Sequence, residues 1–199
     1  ETGFKDALTG IYLKLGTTTL YAGDLTYAYL DELAGLYSDY PGYNTNAVFD
    51  QSIVFDYENM FLSKKNGIYS TMYNIIANIN NFLEYVDKNK DVLVTERYYE
   101  TMKGEALGLR AFLHFDLLRM FGPVYKEHPA SKAIPYRTTF DKDATPVLPA
   151  SEVVDAILKD LNDAEKLLKE SDPLDFFTDQ TDEDLSLIHI SEPTRQEAI

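Results

Sequence analysis

The stretch GEALGLRAFLHFDLLRMFG, from Gly104 to Gly122, decides how this chain is to be read. It sits inside a longer periodic segment, Thr95 to Phe121, with an apolar stripe through Tyr98, Met102, Ala106, Leu109, Leu113, Leu117 and Met120. Recurrence every three or four residues is the period of one helix face. A second apolar row, Ala111, Phe112, Phe115 and Leu118, widens the stripe until the helix is apolar nearly all round. Such a helix is buried between neighbours rather than laid on a surface. Gly122 and Pro123 stop it, since proline cannot extend the hydrogen-bond ladder.

Working outward, Phe4, Leu8, Ile11, Tyr12 and Leu15 predict a first amphipathic helix ended by Gly16 and the Thr17–Thr19 run. Leu25, Tyr29, Leu33 and Leu36 predict a second. Between Ser38 and Asp50 the pattern dissolves into Pro, Gly, Asn and Tyr, the chemistry of a loop. Ile68, Met72, Ile75, Ile76, Ile79, Phe82, Leu83 and Val86 mark a third helix, closed by Asn89, Lys90 and Asp91. After Pro123 comes a long connection with one short extended stretch, Ala133 to Thr138. Ser151 then opens a fifth helix striped by Val154, Ile157, Leu158, Leu161, Ala164 and Leu168, and Pro173 ends it. The expected fold is all-α, with helical pairs in a tetratricopeptide-like arrangement that lacks the full repeat signature.

Composition narrows the function. With 18 Lys+Arg against 33 Asp+Glu the net charge is -15, which repels phosphate backbones and argues against nucleic acid as a partner. The absence of cysteine removes disulfides, thiol nucleophiles and Cys-ligated metals. No apolar run approaches the roughly 18–20 residues that span a bilayer. Tyrosine is abundant, 15 residues against no tryptophan, and several tyrosines fall outside the helical stripes. A flat apolar face with a hydrogen-bonding tip suits both packing and ligand contact.

Catalytic patterns are missing. There is no nucleophile elbow, no phosphate-cradling glycine loop and no HExxH pair. Glu105, Arg110, Asp116 and Arg119 are expected to serve as helix-flank ion pairs and caps, not as a catalytic cluster; Asp116 and Arg119 have the spacing of a local pair. His114 has no second histidine nearby and is expected to be a packed or surface residue. A glycosidase needs two carboxylates flanking a cleft, and 33 acidic residues make such pairs uninformative. The acidic run Asp179–Asp184 lacks the alternating ligands and central glycine of a calcium loop. No metal, cofactor or enzymatic activity is expected.

The Gly104–Gly122 segment resembles the signature helix of SusD/RagB-type proteins, at Glu105-Ala106, Leu109-Arg110-Ala111-Phe112, Phe115-Asp116-Leu117 and Phe121-Gly122. A second match is PASEVVDAILKDLNDAEKLL, Pro149 to Leu168, and the similarity extends over most of Phe4 to Leu168. Gly104 and Gly108 depart from the usual pattern. Each costs about 1 kcal/mol in helix propensity, which close approach of a neighbouring helix would explain. The resemblance implies a surface-exposed lipoprotein of the outer membrane in a Bacteroidetes-type bacterium, lipid-anchored through an upstream cysteine. It would capture an oligosaccharide or other nutrient and hand it to a SusC-like TonB-dependent β-barrel transporter. A helical-repeat scaffold that binds protein without glycan is the alternative.

The tail Leu185–Arg195, LSLIHISEPTR, looks like an in-frame translation of a transposon-based sequencing adapter. Residues 185–199 are therefore expected to be foreign and 1–184 to be the N-terminal region of a longer SusD-like protein.

For ligand contact the loop Tyr37–Asn46, YSDYPGYNTN, stands out. Sugar rings offer apolar C–H faces and fixed hydroxyls, which aromatic platforms beside Asn and Asp suit. Family members place part of the glycan site in loops after the second helix. Tyr40, Tyr43, Asn44 and Asn46 are accordingly the candidate ligand-binding residues, with Asp39 as a fifth. The same proline and glycine would also order a loop whose tyrosines simply pack down.

Overall fold

The computed structural model describes residues 1–34, 36 and 60–171. Among these, five α-helices and one two-stranded ribbon account for most of the regular structure. Helix α1 spans Thr2–Leu15 and buries Leu8, Ile11 and Leu15, the predicted stripe. Gly16 closes it by donating its N–H to the Tyr12 carbonyl.

The next element is shorter than the sequence predicts. Helix α2 covers only Tyr29–Leu33, and residues 16–28 form consecutive turns. The cause is visible at Gly23, where a Cβ would lie 2.4 Å from the Thr18 carbonyl oxygen. This approach folds the chain back on itself; Leu20 is completely buried, whereas Leu36 is exposed.

Helix α3, Met60–Lys88, carries Ile68, Met72, Ile75, Ile76, Ile79, Phe82 and Val86 into the core. Asn89 caps its end by donating from Nδ2 to the Tyr85 carbonyl, and a 3-10 turn, Lys90–Val92, follows. Arg97, at φ 68°, turns the chain into helix α4, Tyr98–Phe121. Strand β1, Lys132–Pro135, pairs antiparallel with β2, Val147–Pro149, and the latter leads straight into helix α5, Ala150–Ser171. The first amides of α5 are satisfied by the loop before β1: Ala150 N–H donates to the Ser131 carbonyl and Ser151 N–H to that of Pro129.

The largest helix–helix interface joins α4 to α5; α3 covers a second side of α4 and α1 packs on α3. The described residues thus form an all-α fold with a minor β-ribbon. The inner face of α5 differs from its predicted stripe. Val153, Ile157, Asp160 and Ala164 point inward, whereas Leu158 and Leu161 lie about half exposed. On α4, likewise, Phe112 and Phe115 of the second apolar row remain partly exposed.

The two signature-helix glycines separate cleanly. At Gly104 a Cβ would meet the Leu168 side chain at 2.7 Å, so α5 does approach there. At Gly108 nothing lies within 4 Å, and the close-approach account fails. Gly108→Ala is expected to stabilise the protein by up to about 1 kcal/mol through helix propensity. Gly104→Val should destabilise by about 1–3 kcal/mol through overpacking. Urea-denaturation midpoints of the two variants check this; equal shifts would contradict it.

Candidate functional site

The polar centre of the described structure lies where α3, α4, α5 and β1 meet. Arg110, on α4, reaches α5 in a two-pronged ion pair: Nε donates to Asp160 Oδ2 at 2.7 Å and Nη2 to Oδ1 at 2.8 Å. Its Nη1 donates to Asn80 Oδ1 on α3 at 3.0 Å. Tyr136, just past β1, adds its hydroxyl to Asp160 Oδ2 at 2.5 Å. Burial opposes the charge on Arg110, but Asp160 more than offsets this and the guanidinium pKa is raised. Burial, with the Asp160 carboxylate beside it, pushes the Tyr136 phenol far up.

His114 is one helical turn beyond Arg110 and fully buried. The backbone N–H of Arg137 donates to its Nε2 at 3.1 Å, which places the ring proton on Nδ1, donating to the Arg110 carbonyl at 2.8 Å. Its ring stacks on Tyr136, with centroids 3.9 Å apart. Burial lowers the histidine pKa to about 4, so the ring is neutral in the fold. Both ring nitrogens are committed to the backbone, and His114 is a packed residue.

The other signature-helix charges also serve packing. Glu105 is buried and accepts from the Tyr12 hydroxyl of α1 at 3.3 Å. Asp116 accepts from the Tyr21 hydroxyl at 2.8 Å and pairs with Arg119 at 3.3 Å, the local pair that the spacing predicted. Arg110 departs from the expectation. It is a core residue bridging helices, not a flank residue. Asn80, Tyr136 and Asp160 escaped the sequence analysis because 24 to 50 residues separate the bonded partners. An acid in phase with Val153, Ile157 and Ala164 was the available signal.

The sequence-predicted ligand residues Asp39, Tyr40, Tyr43, Asn44 and Asn46 lie outside the described residues. Two cavities lie within them. One, of about 550 Å³, runs between α1 and α3 over an apolar floor that includes Phe4, Ile11 and Phe82. The other, of about 520 Å³, opens between α3, α4 and residues 138–141.

Paired helices locked by a buried arginine–carboxylate bridge, with open cavities on their flanks, make up the described structure. Its relatives are specific. Residues 16–180 match the SusD-like model described as "Starch-binding associating with outer membrane", and the chain belongs to that family. Two crystal structures share the fold. One is a SusD superfamily protein from Bacteroides thetaiotaomicron, with TM-score 0.64, 19% identity, 83% of this chain and 37% of that one. The second is a SusD-like carbohydrate binding protein from Bacteroides vulgatus, with TM-score 0.66, 20% identity, 87% of this chain and 37% of that one. This chain thus spans little more than a third of the structures it resembles. No curated protein matches it.

Proposed function

We propose that this chain is the N-terminal region of an outer-membrane lipoprotein that binds oligosaccharides and passes them to a TonB-dependent β-barrel transporter. The family match across residues 16–180, with its starch-binding description, carries this reading. The Bacteroides vulgatus relative, titled a carbohydrate binding protein, supports it. Binding is followed by hand-over, with no bond made or broken. Residues 185–199, which read like a translated sequencing adapter, are foreign to the protein.

Ligand contact falls to the loop with Tyr40, Tyr43, Asn44 and Asn46, beside Asp39. Two tyrosine faces and two amides offer the mixture of apolar plane and fixed polar groups that a sugar ring requires. The test is calorimetric titration of the complete gene product with oligosaccharides cut from starch, xylan, mannan and pectin. One of these is expected to bind, and Tyr40→Ala with Tyr43→Ala to weaken it on the order of tenfold, about 1.4 kcal/mol. Unchanged affinity in the double variant would remove the loop from the site.

The apolar groove between α1 and α3, rimmed by Gly3, Ala7 and Gly10, favours a second reading in which the helices bind protein alone. On that reading the transporter copurifies with the protein while no glycan binds.

A further inference from the structure

The cavity of about 520 Å³ between α3, α4 and the 138–141 loop falls within the size range of small-molecule sites. Its wall includes Arg110, the buried cation of the core. Arg110 spends Nε, Nη1 and Nη2 on Asp160 and Asn80, with the Tyr136 hydroxyl beside it, so it gives this wall positive charge more than free donors. Asp87 and Lys103 also line it, 2.7 Å apart.

The outer lip is an aromatic ring. Phe140 is 54% exposed, and the loop that carries it is tied down from both sides. Asn80 Nδ2 donates to the carbonyls of Arg137 and Thr139, at 3.1 and 3.3 Å. The Arg137 guanidinium donates to the Asp141 carbonyl at 2.9 Å and to its carboxylate at 3.2 Å. The ring is therefore presented on a fixed backbone, and little ordering would be lost when a ligand met it.

Charge selects the ligand class. Each charged side chain of the lining already has a partner, Glu84 with Lys88, Asp87 with Lys103, Arg110 with Asp160 and Asp141 with Arg137, so an ion gains little by entering. Carboxylates accept from hydroxyls, Lys103 keeps one N–H beyond those given to Asp87 and Tyr99, and Phe140 supplies a flat apolar face. That combination fits a neutral polyol ring. We infer that the cavity is a second saccharide subsite, separate in sequence from the Tyr40–Asn46 loop, with Phe140 as its platform and Lys103 and Asp87 as hydroxyl partners. This rests on the glycan-binding reading and adds a place to it.

The test uses the complete gene product and the same four oligosaccharide sets, comparing the wild type, Phe140→Ala and the Tyr40→Ala/Tyr43→Ala variant. Phe140 and Lys103 are outside the core, so Phe140→Ala should fold normally, which circular dichroism verifies. Affinity for the preferred oligosaccharide is expected to fall on the order of fivefold in Phe140→Ala, with Phe140→Tyr restoring it. Crystals soaked with that oligosaccharide should show a ring against residue 140. Binding lost in the loop variant but unchanged in Phe140→Ala, with an empty cavity in the soaked crystal, overturns the subsite and leaves the glycan-binding reading standing. If the wild type binds none of the four, that reading falls and the subsite with it.

Discussion

Replacing Arg110 by alanine is expected to cost about 3–5 kcal/mol, a large share of the roughly 5–15 kcal/mol that holds an ordinary domain together. The side chains of Arg110 and Asp160 are 9% and 5% exposed, so removing the guanidinium strands a carboxylate where water cannot solvate it. Asn80 Oδ1 loses its partner as well. The penalty is that of an uncompensated buried charge, which exceeds the net worth of the pair. The double variant Arg110→Met/Asp160→Leu removes both charges and should recover most of the loss, because apolar pairs of similar volume often replace buried ion pairs at little cost. Urea titrations of the two variants at pH 7 decide it. If the single change costs under about 1 kcal/mol, the bridge is solvated in solution and the buried network is wrong.

The second large effect is a loss of stability in mild acid that one histidine controls. Burial holds His114 at a pKa of about 4, against about 6.5 in an unfolded chain. The folded protein thus refuses a proton that the unfolded chain accepts. The stabilisation is complete above about pH 6.5 and drains away as pH falls towards 4, amounting to about 3 kcal/mol in all. Protonating Nε2 would also turn the acceptor for Arg137 N–H into a donor facing a donor. Carboxylates titrate near the lower end of this window, so the comparison is with His114→Gln, which cannot titrate. Its overall stability should be lower, but its pH dependence between about 6.5 and 4 should be flatter by about that amount. Parallel curves for the two proteins would show that His114 does not report on pH.

Much of the architecture was legible because the helices are long and periodic. Ile68 to Val86 fell on one face, and Gly122-Pro123 marked the end of α4. Legibility failed where a local rule met a tertiary one. On α5 the pattern favoured Leu161 for the interior, being apolar and nearly in phase. The structure turns Asp160 inward, because Arg110 waits opposite and a paired charge outweighs one half-exposed leucine. After α1, the periodic Leu25, Tyr29, Leu33 and Leu36 read as a helix, but the tight return at Gly23 takes up the chain as far as residue 28. Strand β2 was invisible for a plainer reason: three residues ending in proline leave no alternation to detect. The five candidate ligand residues came from loop chemistry and the family resemblance, whereas the cavity beside Phe140 draws on residues from 80 to 141, and no spacing within a single element announces it.

The two-pronged bridge also governs alignment. Apolar side chains along α4 and α5 would tolerate sliding by one helical turn, since leucine against leucine is much the same one step along. Arg110 would not. A shift of about 5.4 Å would carry Asp160 out of reach of the fork and leave two opposite charges facing hydrocarbon. The pair thus works as a vernier between the helices, converting a smooth sliding coordinate into a single notch. Tyr136 and the His114 stack are indexed to the same notch, so the β-ribbon and the loop bearing Phe140 inherit their position from it.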